Sequence, residues 1–145
     1  MDIRVQTEPF SVGDVLDGFG KGSHDIGAVV SFTGIVRDTG GLTRMVIEHY
    51  PGMTERAINE IASEAMERWS LADCLVIHRH GTLVPGDQIM MVATASRHRA
   101  AAFEAAEFLM DYLKSRAPFW KKEFGPDGAE WVAAKDEDED ALSRW

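Results

Sequence analysis

The segment DYLKSRAPFWKKEF, residues 111–124, joins the end of a helical pattern to a basic, aromatic stretch. Because the residue before a proline disfavours the helical conformation, the helix is predicted to end before Pro118 and the chain to turn there. Lys121 can then fold back toward Lys114 instead of continuing along the helix axis. The segment therefore predicts two convergent amines, which could hold a phosphate or carboxylate or stabilise an oxyanion. The alternative is that these basic residues only complement the helix dipole.

Upstream of this turn, apolar side chains at helical spacing predict the longest helix, from a cap at Ser96 to a stop before Pro118. Its first turn contains Arg97, His98 and Arg99, although positive side chains are unfavourable at that end of the dipole. A bound anion could compensate them, and a salt bridge to an acidic side chain is the alternative. Arg99 lies 15 positions before Lys114, or about 22 Å along a helix. A small ligand that contacts both must therefore bind between two copies of the chain, which predicts a homodimer.

The rest of the chain predicts a mixture of strands and helices. Stretches rich in Val, Ile, Phe and Thr predict strands near 2–6, 27–37, 42–50, 73–80 and 88–95. Helical spacing predicts helices over 12–19 and over 54–69, the second with a cap at Thr54. The run DEDED at 136–140 favours a solvated, mobile tail, because like charges repel. We therefore expect one domain over 1–135, followed by an acidic tail over 136–145.

Composition limits the possible functions. A chain of 145 residues fits a single globular domain. Its net charge of -9 argues against general binding to nucleic acid or membranes, so any anion site must be local. No apolar run approaches the length of a membrane helix and no targeting pattern is present, so we interpret the protein as cytoplasmic. The single cysteine excludes an internal disulfide and a Cys-rich zinc site.

Two shorter motifs carry further candidates. FTGIVRD places Phe32, Arg37 and Asp38 at the end of a predicted strand, before a loop with two glycines. Arg37 could hold an anion there, and a salt bridge to Asp38 is the alternative. HRH puts His78 and His80 on one face of a strand, where two histidines could bind a metal. Without an acidic or cysteine partner at a recognised spacing, core or surface histidines are favoured over zinc, and no metal site is predicted.

Classical nucleophiles are not predicted from the sequence. Cys74 lies within a probable strand, where a small buried side chain is expected. No order of Ser, His and Asp and no nucleophile elbow indicates a hydrolytic triad, and no glycine-rich stretch matches a phosphate loop or dinucleotide fingerprint. The basic residues therefore remain the main candidates for chemistry.

Several motifs together resemble a known family: VVSFTGIVRD, EHYPGM, HRHGTLVPGDQ, ASRHRAAAFEA, MDYLKSRAPFWKKE and WVAAK. In this order and spacing they are similar to the large, catalytic subunit of molybdopterin synthase. The resemblance extends from about Ile26 to Lys135, and DYLKSRAPFWKKE is close to diagnostic. It implies an α/β protein of the α+β type, with a hammerhead-like fold and an additional antiparallel β subdomain.

The same resemblance implies an activity and partners. The family adds two sulfurs to cyclic pyranopterin monophosphate and so forms the dithiolene of molybdopterin. Each sulfur arrives as a thiocarboxylate on the C-terminus of a small ubiquitin-like carrier subunit, so no separate cofactor is expected. The implied assembly is a homodimer with one carrier at each end, a heterotetramer. The implied locations of the two active-site lysines are Lys114 and Lys121.

The resemblance also implies a substrate pocket, made of Phe32, Arg37, His98, Arg99, Met110 and Lys135. Lys135 stands where the family commonly has an arginine contributed across the dimer. A lysine keeps the positive charge but lacks the planar guanidinium that binds phosphate through two hydrogen bonds. For the mechanism we expect Lys114, crowded by Arg116 and Lys121, to act in proton transfer, and Lys121 to stabilise negative charge. Two alternatives from other classes remain: a module that binds a nucleotide or RNA end, and a scaffold that presents the carrier without chemistry.

Overall fold

The structure is a computed structural model that describes residues 1–145, with eight strands, four α-helices and a final 3₁₀ turn. The strands are β1 (Asp2–Gln6), β2 (Ala28–Ile35), β3 (Arg44–His49), β4 (Asp73–Arg79), β5 (Gly81–Leu83), β6 (Gln88–Ser96), β7 (Phe119–Gly125) and β8 (Gly128–Trp131). The helices are α1 (Val12–Gly18), α2 (Met53–Arg68), α3 (Arg99–Arg116) and α4 (Asp136–Ala141), and the 3₁₀ turn covers Leu142–Arg144. None of the helices combines the length and apolar character needed to cross a bilayer.

The first sheet, in the order β1-β4-β6-β2, lies at the centre of the molecule. β1 pairs in parallel with β4, and the other pairs are antiparallel. α2 and α3 cover one face, over a core that includes Ile58, Val92 and Phe108. α1 covers the opposite face, at Ile77 and Met91. Because both faces of β4 and β6 are buried, their apolar residues run continuously instead of alternating.

The second sheet, in the order β5-β3-β7-β8, is antiparallel throughout. It has a smaller core of its own, formed by Val36, Leu42, Met45, Ile47 and Leu83. The predicted α+β fold, hammerhead-like with an additional antiparallel β subdomain, is confirmed by the two sheets and the helices that cover the first of them.

Some strands and helix ends in the structure differ from those predicted from the sequence. β5, β7 and β8 are absent from the predicted elements, because glycine, proline and charged residues interrupt the alternation there. α2 begins at Met53 instead of after Thr54, and the Thr54 hydroxyl is buried and donates to the carbonyl oxygen of Tyr50 at 2.9 Å. The backbone N–H of Gly52 donates to Glu55 at 2.7 Å, which stabilises the start of the helix.

The acidic segment at the C-terminus forms α4 and the 3₁₀ turn, and it ends against α3. The indole N–H of Trp145 donates to Asp111 at 2.6 Å. Its ring meets those of Trp69 and Phe108 edge-on, with centroids 5.6 and 5.7 Å away. The sequence favoured a solvated tail because the charged run has no core to join, but Trp145 supplies an aromatic contact that the charge pattern does not reveal. The mobility of this segment stays a prediction.

Candidate active site

α3 and β7 bring two lysines of the basic segment together. Ala117, the residue after α3, is extended as expected before Pro118. β7 then pairs with β3 and puts Lys121 opposite Ile47. Lys114, in the last turn of α3, is close enough for its charge to act on Lys121. The chain therefore reverses where the sequence predicts, and the two amines belong to one cluster.

The alternation of side chains along β7 turns Lys121 inward. Phe119 and Lys121 share the face on which Ile47 is 1% exposed, because residues two apart or directly opposite lie on one side of a sheet. Trp120 and Lys122 lie on the other face, where Trp120 is 49% exposed. Lys122 thus provides a comparison for Lys121 with the same charge and strand but different surroundings.

Lys121 has an altered proton affinity. Its pKa is lowered to about 8, first by burial, then by the positive charge of Lys114 and, more weakly, of Lys135. Asp138 and Glu123 oppose this shift without cancelling it. A lysine with a pKa close to neutral pH can both donate and accept a proton, which suits general acid–base catalysis.

Amine labelling can measure this shift directly. We expect Lys121 to become reactive toward a small amine reagent with a midpoint near pH 8, because only the neutral amine is nucleophilic. Peptide mapping by mass spectrometry, with Lys122 in the same sample reporting the reagent's own pH dependence, would measure the midpoint. A midpoint near the model-peptide value of about 10.4 would contradict the burial of Lys121.

Lys135 lies immediately before α4, and its charge contributes to the lowered pKa of Lys121. The resemblance implied that this position serves a site across the dimer, and that role stays a prediction; within one chain, the charge of Lys135 reaches Lys121. Arg116 and Glu139 form an ion pair of 2.6 Å that holds α4 against the end of α3. The cluster therefore has α3 on one side and the start of α4 on another.

An apolar groove of about 330 Å³ lies between β2 and α3. Phe32 and Met110, both implied as pocket residues, line it together with Phe103 and Arg144. Its volume is at the lower end of the roughly 300–1,000 Å³ range of small-molecule sites. Met110 and Lys114 are four positions apart on α3 and so share one helix face. The groove itself is lined by none of the three lysines, and Met110 is its lining residue on the helix face that carries Lys114.

Arg37 lies in the exposed loop after β2 and forms no ion pair within the chain. The alternative considered from sequence was a salt bridge with Asp38. Instead, the Asp38 carboxylate accepts a hydrogen bond from the backbone N–H of Leu42 at 2.9 Å and shapes the loop. The guanidinium of Arg37 thus has no acidic partner within the chain, and its binding of an anion stays a prediction.

His98 and Arg99 lie at the opposite end of α3 from the lysine cluster. His98 is the N-cap of the helix, and its backbone N–H donates to the Ser96 hydroxyl at 3.2 Å. The sequence left open whether the basic residues of this first turn form salt bridges with acidic side chains. Only Arg97 does so, with its guanidinium 3.8 Å from the carboxylate of Asp25. Neither His98 nor Arg99 pairs with an acid, so the structure of one chain leaves both outside the lysine cluster and available to another molecule.

His78 joins the cluster, although sequence reasoning did not place it there. Its ring is buried against Phe119, and its pKa is lowered to about 3, first by burial and then by the charges of Lys121 and Lys114. No group of His, Cys, Asp and Glu side chains is arranged to hold a metal ion. In the sequence, only the HRH motif drew attention to His78, and this motif does not reveal that its ring stacks on Phe119.

Cys74 lies in the core of the first sheet. Burial, with a contribution from Asp73, raises the pKa of its thiol to about 12. Because the thiolate is the reactive form, this cysteine is a poor nucleophile.

Comparisons with known proteins agree with these observations. Residues 5–116 match the family described as MoaE protein, a span that includes Lys114 and ends before Lys121. A curated relative, the molybdopterin synthase catalytic subunit of Cereibacter sphaeroides, is 64% identical over 146 residues and the match covers 100% of both chains. The solved structure of the molybdopterin biosynthesis MoaE protein from Burkholderia ambifaria is 49% identical, with a TM-score of 0.87 and coverage of 99% of this chain and 97% of that one. That of molybdopterin synthase from Staphylococcus aureus is 32% identical, with a TM-score of 0.81 and coverage of 90% and 96%.

Proposed function

The chain belongs to the MoaE protein family, and from this membership we propose that it adds sulfur to a pterin in molybdenum cofactor biosynthesis. The relative that matches along its whole length is a molybdopterin synthase catalytic subunit. The proposed substrate is cyclic pyranopterin monophosphate, and the product is molybdopterin with its two dithiolene sulfurs. The sulfur donor is the thiocarboxylate at the C-terminus of a small ubiquitin-like carrier, and no other cofactor is required.

The observation that carries this proposal is the cluster of Lys114, Lys121 and Lys135. None of the three forms an ion pair with a carboxylate, although the chain has a net charge of -9. Unpaired positive charges that converge favour an anionic ligand. The pterin phosphate and the carrier thiocarboxylate are both anions, so both suit this cluster.

The first half of each sulfur addition joins carrier and pterin. The thiocarboxylate sulfur attacks a carbon of the pterin side chain, and a carbon–sulfur bond forms. The bond from that carbon to its oxygen substituent breaks, and the ammonium of Lys121 gives a proton to the departing oxygen. The product of this half is a thioester between carrier and pterin, with Lys121 left as a neutral amine.

The second half releases the carrier. Water attacks the acyl carbon of the thioester, and the amine of Lys121 takes one proton from that water. The bond between the acyl carbon and sulfur breaks, the other water proton goes to the sulfur, and the pterin keeps a thiol. The carrier leaves as an ordinary carboxylate, and Lys121 is again protonated for the next addition.

These steps exchange the lysine roles expected from sequence. The pKa of Lys121, about 8, suits a group that donates and then accepts a proton. Lys114 is exposed at the end of α3 and supplies positive charge to the oxyanion that forms when water attacks. Arg37 is assigned to the phosphate, because its guanidinium has no partner within the chain.

The site is completed by a second copy of the chain. His98 and Arg99 lie about 22 Å from Lys114 along α3 and cannot contact the same small substrate within one chain. In a homodimer, they can approach the lysine cluster of the partner. We therefore propose two sites per dimer, each reached by the C-terminal tail of one carrier.

A reconstituted reaction tests the proposal. The purified protein, thiocarboxylated carrier and cyclic pyranopterin monophosphate are expected to give a dithiolene-bearing pterin, detected by mass spectrometry. The same carrier with an ordinary carboxylate is the matched control and should give none. Carrier binding without product would favour the scaffold alternative, and RNA binding that weakens with salt without turnover would favour the binding module.

A further inference from the structure

His78 lies at the end of β4 with only 7% of its surface exposed. Its ring stacks on Phe119, with centroids 3.7 Å apart and planes inclined by 15°. The Nδ1 atom lies 2.8 Å from the carbonyl oxygen of Arg79. Because a carbonyl oxygen only accepts hydrogen bonds, Nδ1 carries the hydrogen and Nε2 holds a lone pair. The position of the ring and its tautomer are therefore both fixed.

Nε2 of His78 is an acceptor without a partner in the chain. Ser115 Oγ is the only side-chain polar atom that is both sealed from solvent and unpartnered. Nε2 therefore keeps an opening on its side of the ring. The charged or titratable groups that act on His78 are Lys121, Lys114 and His49, and none of them is an acid. Both lysines in this set can donate a hydrogen bond to the open acceptor.

The ring stays neutral at any pH near neutrality, because burial and the two lysines hold the pKa of His78 at about 3. It therefore remains an acceptor and adds no positive charge. Lys121 is influenced in turn by Lys114, Lys135, Asp138 and Glu123. Nothing in that set fixes the direction in which the Lys121 amine points.

The geometry of β7 connects the two residues. Phe119 and Lys121 are two positions apart on one face of β7. The His78 ring stacks on Phe119, and the positive charge of Lys121 acts on it. We propose that His78 is a positioning residue whose Nε2 accepts a hydrogen bond from the amino group of Lys121. The flexible lysine stem lets the amine reach the edge of the ring. This inference rests on the proposed function, in which Lys121 moves the proton.

Such a hydrogen bond would orient both forms of Lys121. As an ammonium, Lys121 uses one N–H on His78 and directs another toward the departing oxygen of the pterin. As an amine, it keeps one N–H on His78 and turns its lone pair toward the attacking water. His78 thus acts through Lys121 without touching the substrate.

Two substitutions of His78 test the roles of its two ring nitrogens separately. His78→Asn keeps a donor near the Nδ1 position but removes the acceptor at Nε2, whereas His78→Gln places an amide oxygen near Nε2. We expect His78→Asn to lower kcat roughly 10- to 100-fold with little change in the KM for the pterin, because the proton donor is misaligned. His78→Gln should retain most of the activity. His80→Asn, at the partly exposed neighbouring histidine, is the matched control and should behave as wild type.

Amine labelling of Lys121 gives a readout that needs no catalysis. Loss of an acceptor that favours the ammonium should move the labelling midpoint below that of the wild-type protein in His78→Asn and leave it in place in His78→Gln. An unchanged or higher midpoint in a folded His78→Asn would overturn the inference. If His78→Asn fails to fold, the test rests on His78→Gln. A labelling midpoint and an activity equal to those of the wild-type protein would support the inference. A shifted midpoint or a lost activity would overturn it. Because labelling is read without substrate, its result is independent of whether the proposed sulfur transfer occurs.

Discussion

Lys114→Ala is expected to lower the formation of dithiolene-bearing pterin by at least about 100-fold, the usual effect of removing a donor that stabilises an oxyanion. Lys114 is exposed, and Ala is favourable within a helix, so the fold of α3 should survive. The loss should therefore appear in kcat, with the circular dichroism spectrum and the dimer unchanged.

The reconstituted assay measures this loss, and Lys21→Ala is its matched control. Lys21 is an exposed lysine in the turn after α1, far along the chain from the cluster, and its removal changes the net charge by the same amount. If Lys114→Ala kept more than about a tenth of the wild-type activity, Lys114 would have no place in stabilising the oxyanion.

A mixed dimer of Lys114→Ala and Arg99→Ala subunits is expected to recover about half of the wild-type activity, although each parent is nearly inactive. The reason is the length of α3, which keeps the two residues about 22 Å apart within one chain. In the mixed dimer, both lesions fall in one site, and the other site receives an intact Lys114 and an intact Arg99. Coexpression with two different tags and purification through both would isolate this species.

Mixing Lys114→Ala with Lys121→Ala is the informative control. These lysines influence each other within one chain, so every site of that mixed dimer carries one lesion and no recovery is expected. If the dimer of Lys114→Ala and Arg99→Ala were as inactive as its parents, the site would have to be built within a single chain. Arg99 would then act on something other than the substrate beside Lys114.

The local sequence predicts the end of α3 and the turn that follows it because both depend on near neighbours. Pro118 prevents the helix from continuing, and that single constraint is enough to bring Lys121 back toward Lys114. The core strands β4 and β6 are similarly predictable from their apolar runs. These parts of the fold follow from patterns within about ten residues.

The remaining parts depend on contacts between distant segments. The inward orientation of Lys121 requires β7, and β7 exists because it pairs with β3, which lies far upstream. The burial that lowers the pKa of Lys121 therefore has no local signal. His78 is another example, because its role depends on the ring of Phe119, which lies far downstream in the sequence, at the start of β7. Trp145 docks on α3 through an aromatic contact that its acidic surroundings conceal.

The pairing of β3 with β7 also makes the second sheet less stable than the first sheet and the helices that cover it. Ile47 and Lys121 face each other although roughly 70 positions separate them, so this ladder closes a long loop at a considerable entropic cost. The second sheet offsets that cost with a core of only five buried residues, while α3 is anchored to a larger core of 13. Thermal fraying of the smaller core can therefore part the two lysines while the central sheet remains folded, and heat inactivation can precede global melting.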